Sequence, residues 1–408
     1  MKRAIRVATA AVAACTFGAP VSATLHAQLP AGFQPAWQEL AADYHSRMTS
    51  QGMVGSSVWL MHDGEVVARE HHGFADLESG RRVDENTIYH WASITKTFTA
   101  IAIMQLRDRG RLTLDDTVVH YLPELRRVHN PYGPMEAVTI RHLLSHSAGF
   151  RNPTWPWGGD EPWHEFEPTE WSQLVSMMPY TEILFPPGSR YSYSNPAIIF
   201  LGRIMEQLSG DDYEVYIDKN ILKPLGMHRS YFDITPYHLL QYRSNNYTVR
   251  NGEVNANGLD FDTGITASNG GLNAPLTDMA RYLAFLSGSS TDETASSVLD
   301  RASLGEMWQA IVPVTVTGYG GDFGAGDGWS SGMGLGFFTY QRERDGRHLV
   351  GHTGDQMSFR LFFYVEPATR TAAIAAFNTV GNPAPDTESL LNELRTAIVE
   401  RIFPLFSN

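Results

Sequence analysis

The 408-residue chain is 43% hydrophobic and carries 31 Lys and Arg against 44 Asp and Glu, a formal net charge of −13. That composition supports a large packed core, in about two or three domain-sized units or one two-lobed enzyme, and it excludes the basic surface that nucleic-acid binding needs. The only cysteine is Cys15, so a mature protein lacking its leader holds neither a disulfide nor a Cys-ligated metal.

Lys2, Arg3 and Arg6, the apolar run Val7 to Phe17 and the small-residue site Val21-Ser22-Ala23 read as an export signal. Leu25-His26-Ala27 is a second cleavage site, so residues 1–27 are assigned to the signal and 28–408 to the mature domain, periplasmic or secreted. Val12-Ala13-Ala14-Cys15 also resembles a lipoprotein box that would put a lipid anchor on Cys15, but the apolar run before it is short, which disfavours that processing. No later stretch reaches the ~18 consecutive apolar residues of a transmembrane span.

Trp37, Leu40, Tyr44 and Met48 recur at helical spacing and predict an amphipathic helix over Ala36 to Thr49, packed on a sheet. Gly55 to His62 and Glu65 to Gly73 are β-prone runs joined by Asp63-Gly64, a strong hairpin signal. From Phe98 through Ile101, Ile103, Met104 and Leu106 an all-round apolar helix follows, which must be buried. Leu112 to Leu125 and a helix opening at Thr139 to Leu144 and closing at Gly149 extend a mostly helical region. Trp155, Trp157, Trp163 and Trp171, crowded among Pro153, Pro156, Pro162 and Pro168, predict an irregular loop over Arg151 to Trp171. Ala197 to Ser209 and Thr277 to Ser287 read as helices, and Met307 to Tyr340 mixes β-prone pieces with glycines. Leu349 to Tyr364 and Thr371 to Asn378 read as strands, and a last helix carries Leu391, Leu394, Ile398 and Ile402 on one stripe. The order implies an α/β lobe made from both chain ends, about 36–100 and 265–408, around an all-α lobe, about 101–264.

Three stretches bear on chemistry. Ser93 and Lys96 stand three apart at the head of the apolar helix, where Cβ atoms lie roughly 5–6 Å apart on one face. Burial lowers a lysine pKa and lets it take the proton of a nucleophilic serine. Alone the Ser-x-x-Lys spacing is a weak signal. Tyr193-Ser194-Asn195 follows the turn-forming Pro186-Pro187-Gly188-Ser189-Arg190, which puts Tyr193 on a loop where a phenol beside a lysine can relay protons. His352-Thr353-Gly354 sits on a strand, with Gly354 letting a substrate backbone approach closely. Other signals carry less. His142 and His146, four apart on a helix, lack a third ligand, so no metal site is assigned. Gly324, Gly326 and Gly328 have no strand-turn-helix setting for a phosphate loop, and Glu206 and Asp262 show no paired-carboxylate spacing.

Ser93-x-x-Lys96, Tyr193-x-Asn195 and His352-Thr353-Gly354, in that order, resemble the three boxes of the penicillin-recognising serine hydrolases related to class C β-lactamases. That group includes D-alanyl-D-alanine carboxypeptidases, D-amino-acid peptidases and amidases, and β-lactamase-like esterases. Gly110 to Asp116, Thr139 to Gly149, Pro224-Leu225-Gly226-Met227, Asn269-Gly270-Gly271-Leu272 and Met333 to Phe337 are similar again, so the resemblance covers nearly all of the mature chain. It implies a β-lactamase/transpeptidase-like α/β fold, an antiparallel sheet flanked by N- and C-terminal helices with a large helical lobe inserted. It also implies that Ser93 forms an acyl-enzyme, that Lys96 and Tyr193 share the proton work, and that Asn195 hydrogen-bonds a substrate amide. His352, with Thr353 and Gly354 beside it at the substrate, stands where class C β-lactamases carry a lysine. The backbone N–H groups of Ser93 and Asp355 would form the oxyanion hole, and no cofactor or metal is implied.

Two departures bear on the substrate. Many relatives with this histidine continue with a second glycine, whereas this chain reads Asp355-Gln356-Met357-Ser358-Phe359-Arg360. Strand alternation favours an Asp355 side chain turned away or paired with Arg360; turned inward, it would repel acidic substrates and attract an amine. Without the lysine that holds a β-lactam carboxylate, weak or no β-lactamase activity is expected. Trp155, Trp157, Trp163 and Phe166 either line a site for an aromatic or acyl group or pack the loop on itself. The expected function is an exported serine hydrolase acting on an ester, an amide or a D-amino-acid peptide, with peptidoglycan-derived peptides among its candidate substrates. It is preferred over a true class C-type β-lactamase or D-alanyl-D-alanine carboxypeptidase, and over a non-catalytic penicillin-binding sensor.

Overall fold

The computed structural model describes residues 29–154, 168–258, 263–315 and 328–407. Helix α1 (Phe33–Gln51) buries Phe33, Trp37, Leu40, Tyr44 and Met48 and stops at Gly52, whose φ of 72° returns its N–H to the Met48 and Thr49 carbonyls. Strands β1 (Gly55–His62) and β2 (Glu65–Asp76) follow. They are joined by Asp63 at φ 52° and Gly64 at φ 82°, the two positive dihedrals that match a tight turn to the twist of its strands. After β3 (Arg81–Arg82) and β4 (Ile88–His90) comes α2 (Thr95–Asp108), buried on every side from Thr95 to Leu106.

The inserted region continues through α3 (Val118–Tyr121), α4 (Ile140–Leu144), α5 (Trp171–Met177), α6 (Asn195–Ser209) and α7 (Tyr213–Ile217). Trp171 therefore opens a helix instead of closing the predicted loop. Short strands β5 (Tyr231–Phe232), β6 (Tyr247–Arg250) and β7 (Glu253–Ala256) precede α8 (Ala267–Gly270), β8 (Leu272–Pro275) and α9 (Leu276–Ser287). Helices α10 (Asp292–Val298) and α11 (Arg301–Met307) lead into β9 (Val312–Pro313), β10 (Trp329–Met333) and β11 (Phe338–Arg342). The chain ends with β12 (Arg347–Gln356), β13 (Phe359–Glu366), β14 (Thr371–Phe377), β15 (Thr379–Asn382) and α12 (Thr387–Ala397), the last extended by a wider turn over Ile398–Ile402.

Among the described residues nine strands form the main sheet in the order β3-β2-β1-β14-β13-β12-β11-β10-β9. Both chain ends meet in its centre, where β1 runs antiparallel to β14 with Ser56 opposite Phe377 and Trp59 opposite Ile374. Successive side chains on a strand point to opposite faces, and here both faces are covered. Val58, Leu60, Phe362, Tyr364, Ala373 and Ala375 join the core under α1 and α12, while Trp59, Met61, Leu361, Phe363, Ile374 and Ala376 join the core under α2 and α9. A one-residue slip would exchange the two sets, so the register is strongly specified. The predicted single strand Leu349 to Tyr364 is two strands: the chain reverses at Met357, which takes φ 54° without a glycine to mark the turn. No helix among the described residues is long and apolar enough to cross a membrane.

Candidate active site

The site begins where β4 leaves its partner. β4 pairs with β8, His90 opposite Asn273, and Trp91 then anchors twice to the same strand: its N–H donates to the Leu272 carbonyl at 2.7 Å and its Nε1–H to the Ala274 carbonyl at 2.8 Å. Ala92, fully buried, takes φ 47°, a left-handed conformation uncommon for a residue with a side chain. The chain swings through a single 3₁₀ turn, Ala92–Ile94, into α2. Of residues 91–100 only Ser93 is more than marginally exposed, so the turn presents one hydroxyl from an otherwise buried segment.

Lys96 is 1% exposed. Its Nζ lies 2.9 Å from Ser93 Oγ and donates to the Asn269 carbonyl at 2.7 Å. Burial drives its pKa well below the ordinary lysine value, because an ammonium there has lost its water without gaining an opposite charge. The Asn269 carbonyl is held in place by neighbouring bonds from α2 to α8 and to the start of β8. Thr99 Oγ1 donates to the Ser268 carbonyl at 2.6 Å, and the Leu272 N–H donates to Thr95 Oγ1 at 3.1 Å. Asn269-Gly270-Gly271 was legible as a resembling stretch, but its backbone role was not.

Tyr193 is 7% exposed and sits two residues before α6. Ser194 caps that helix, accepting the Ala197 N–H at 3.2 Å. The Lys96 Nζ lies 5.0 Å from the Tyr193 ring centroid. Asn195 opens α6, half-buried, with its N–H donating to the Asn152 carbonyl at 3.1 Å and its Nδ2 to Asn152 Oδ1 at 3.4 Å.

The third wall is β12. Its last residue paired with β11 is Gly351, opposite Phe338; from His352 to Gln356 it pairs, among the described residues, with β13 alone, which leaves one edge open beside the Ser93 turn. His352 is buried, its ring 5.0 Å from Phe338 and 6.4 Å from Tyr193. Burial, with Lys96 nearby, pushes its pKa down to about 3, so the imidazole is neutral. Its Nδ1–H donates to the Thr353 carbonyl at 2.6 Å, which leaves Nε2 as a bare acceptor, buried and without a partner among the described residues. Thr353 is half-buried. At Gly354 a Cβ would lie 2.6 Å from the Trp91 carbonyl oxygen, so β12 approaches the chain's own Ser93 turn closely there. Asp355 is 51% exposed and forms an ion pair with Arg360, its cross-strand neighbour.

Beneath these groups a buried network joins β4, β8 and β12. The His90 ring nitrogens lie 3.1 Å from Asn273 Oδ1 and 2.8 Å from Gln356 Oε1. Burial and Arg243 push the His90 pKa down to about 4, and a neutral imidazole donates only once. One amide must therefore turn its NH₂ to the ring, and Gln356, whose Nε2 otherwise has no partner among the described residues, gains most by doing so. Nothing in the sequence marked His90 out. His142 accepts the Thr139 N–H at 3.3 Å in a capping box on α4, and His146 lies beyond the end of that helix, not on its face. Among the described residues no three His, Cys, Asp or Glu side chains gather as a metal site. Trp155, Trp157, Trp163 and Phe166 lie outside the described residues.

Sheet, inserted helices and the Ser93 turn between them define a β-lactamase/transpeptidase-like fold. Comparison with known proteins agrees: residues 40–397 match the Beta-lactamase family, and the chain belongs to it. Esterase EstB of Burkholderia gladioli is 30% identical over 214 residues, 50% of this chain and 51% of EstB, so the chain spans about half the length of that curated relative. An octameric penicillin-binding protein homologue from Pyrococcus abyssi superposes with a TM-score of 0.71 at 27% identity, over 90% of this chain and 78% of the other. A class C beta-lactamase superposes with a TM-score of 0.70 over 92% and 98% of the two chains; at 18% identity that likeness speaks for the fold alone.

Proposed function

We propose that this protein is a serine hydrolase that forms an acyl-enzyme on Ser93 and acts on an ester, an amide or a D-amino-acid peptide, with weak or no β-lactamase activity. One observation carries the reading: a buried lysine without an ion-pair partner among the described residues lies 2.9 Å from the hydroxyl of the one accessible serine on its turn. In this scheme neutral Lys96 takes the Ser93 proton as Oγ bonds to the substrate carbonyl carbon. The backbone N–H groups of Ser93 and Asp355 hold the oxyanion; such a donor is typically worth about 10²–10³ in rate. As the tetrahedral species collapses, the bond to the leaving group breaks and the proton passes to it through Lys96 and Tyr193. Water, deprotonated by the same pair, then cleaves the acyl bond and restores the Ser93 hydroxyl. Asn195 hydrogen-bonds a substrate amide or ester oxygen.

The preference against β-lactams rests on His352. Its imidazole is buried and neutral and so brings no positive charge to hold a carboxylate, as a lysine in that place would. EstB's name as an esterase supports the same direction. Fluorophosphonate labelling and a substrate panel of p-nitrophenyl esters, D-amino amides, D-Ala-D-Ala peptides and β-lactams test the proposal, with Ser93→Ala as control. Labelling and turnover that vanish in Ser93→Ala are expected. β-Lactam turnover near the rate of the best ester would favour a class C-type enzyme, and penicillin binding without turnover would favour a sensor. Export is part of the proposal, with cleavage after Ala23 or Ala27; the N-terminal sequence of the mature protein checks it.

A further inference from the structure

One buried side chain outside this scheme holds Tyr193 from three directions. His146 follows α4 at φ 51° and is 1% exposed. Its carbonyl accepts the Ser192 N–H at 2.8 Å, and its Nδ1 accepts the Ser194 N–H at 3.1 Å. Its ring lies nearly parallel to that of Tyr193, with centroids 4.5 Å apart and planes 26° apart. The residues on both sides of the phenol, and the phenol itself, therefore rest on a single residue. Since Nδ1 accepts, the proton of the neutral ring is on Nε2, and that N–H is buried without a partner among the described residues. A residue that only filled space would not bring in an unsatisfied donor. Nor would it take a left-handed φ, which a side chain adopts at a cost.

Resting on the acyl-enzyme reading above, we propose that His146 is the positioning residue for Tyr193, fixing the phenol over Lys96 through its acceptor nitrogen and its ring face. The 5.0 Å separation between Lys96 Nζ and the Tyr193 ring centroid is set from below by this stack. Ser145 and Ser147, whose hydroxyls lie 2.8 Å apart, tie the backbone on either side of His146, so the clamp is itself held. Burial, with Lys96 and His352 close by, keeps the imidazole neutral, which preserves the lone pair that the Ser194 N–H uses.

Two substitutions separate positioning from packing. His146→Asn keeps an acceptor near the place of Nδ1 and suits a left-handed φ, whereas His146→Phe keeps a flat ring and leaves the Ser194 N–H unanswered. The readouts are kcat and KM for p-nitrophenyl acetate, with active enzyme counted by fluorophosphonate labelling of Ser93, and Tm. We expect kcat to fall about 10²-fold in His146→Phe, with KM within about twofold, because misplacing a reacting group by an ångström costs that much. His146→Asn is expected to stay within about fivefold of wild type. If His146→Phe does not fold, His146→Ala, lacking ring and acceptor, carries the same comparison with His146→Asn. Wild-type kcat per labelled site in His146→Phe, or equal impairment of both variants, overturns the assignment alone. A wild type that is neither labelled nor active on any ester or amide overturns the acyl-enzyme reading, and this role with it.

Discussion

At the floor of the site Lys96 and Thr99 give their polar atoms to the backbone of α8, and Thr95 accepts the Leu272 N–H at the start of β8. At the rim Asp355 and Arg360 hold one another, and Arg360 adds only carbonyls of its own hairpin. Floor contacts join segments far apart in the chain and are dry; rim contacts are local and half in water. In the proposed scheme the chemistry is thus lodged where a change in one element is felt by two others, and selectivity where a side chain can change alone. Substitutions should follow that gradient.

Lys96→Arg attacks the floor most directly. A guanidinium fills similar space but keeps its charge at any working pH, so it cannot take the Ser93 proton. Loss of the general base should lower kcat/KM by about 10³–10⁴-fold, while an arginine enzyme within tenfold of wild type would show that Lys96 works as a cation. Gly354→Ala comes next. Its new methyl would press on the Trp91 carbonyl from 2.6 Å, with backbone on both sides of the clash. Overpacking of this kind costs about 1–3 kcal/mol, read as a lower urea midpoint, and the displaced Ser93 turn should lose about 10²-fold in kcat/KM.

Acid should loosen the floor before the rim. His352 and His90 titrate at about 3 and about 4 when folded, against 6.5 for an unperturbed side chain. Between those values the unfolded chain binds protons that the folded chain refuses. The stability these neutral rings contribute is therefore complete above about pH 6.5 and declines as pH falls, by about 1.4 kcal/mol per pH unit for each ring within its window. Urea unfolding from pH 7 to 4 measures the slope, and His90→Gln should flatten it. An unchanged slope would mean that His90 is protonated in the fold and bonds both amides as a donor.

The same gradient explains what the sequence disclosed. Ser93 and Lys96 were legible because a spacing of three brings them together whatever the rest of the chain does, and the β1–β2 hairpin because Asp63-Gly64 admits few other turns. The pairing of β1 with β14 was legible only as a lobe built from both ends, since composition marks a strand but not its neighbour. The Asn269 carbonyl was hidden because a backbone atom carries no residue identity. His146 was hidden because its spacing from His142 suggested a shared helix face, whereas α4 closes at Leu144. The reversal at Met357 was missed for want of a glycine or proline. Gly354 was legible as a close approach, but not what approaches it, for Trp91 reaches it only once β4 and β12 converge.

The smallest effect belongs to the rim and tests the other half of the comparison. Asp355 and Arg360 are 51% and 20% exposed in their side chains, so their ion pair should contribute no more than about 1 kcal/mol to stability. Arg360→Gln removes the charge while keeping a polar, hydrogen-bonding side chain, leaving the Asp355 carboxylate uncompensated at the open edge of β12. Folding should barely change, with Tm within a degree or two of wild type, as expected for about that energy in a chain of this size. Turnover of an anionic ester, such as a succinyl ester, should fall relative to its neutral counterpart by about fivefold, the effect of roughly 1 kcal/mol of repulsion through a solvated path. That ratio should close again in 1 M salt, where the screening length shrinks to about 3 Å. If the loss were equal on both esters and insensitive to salt, Arg360 would be holding the shape of the β12–β13 hairpin and not its charge, and the rim would belong with the floor.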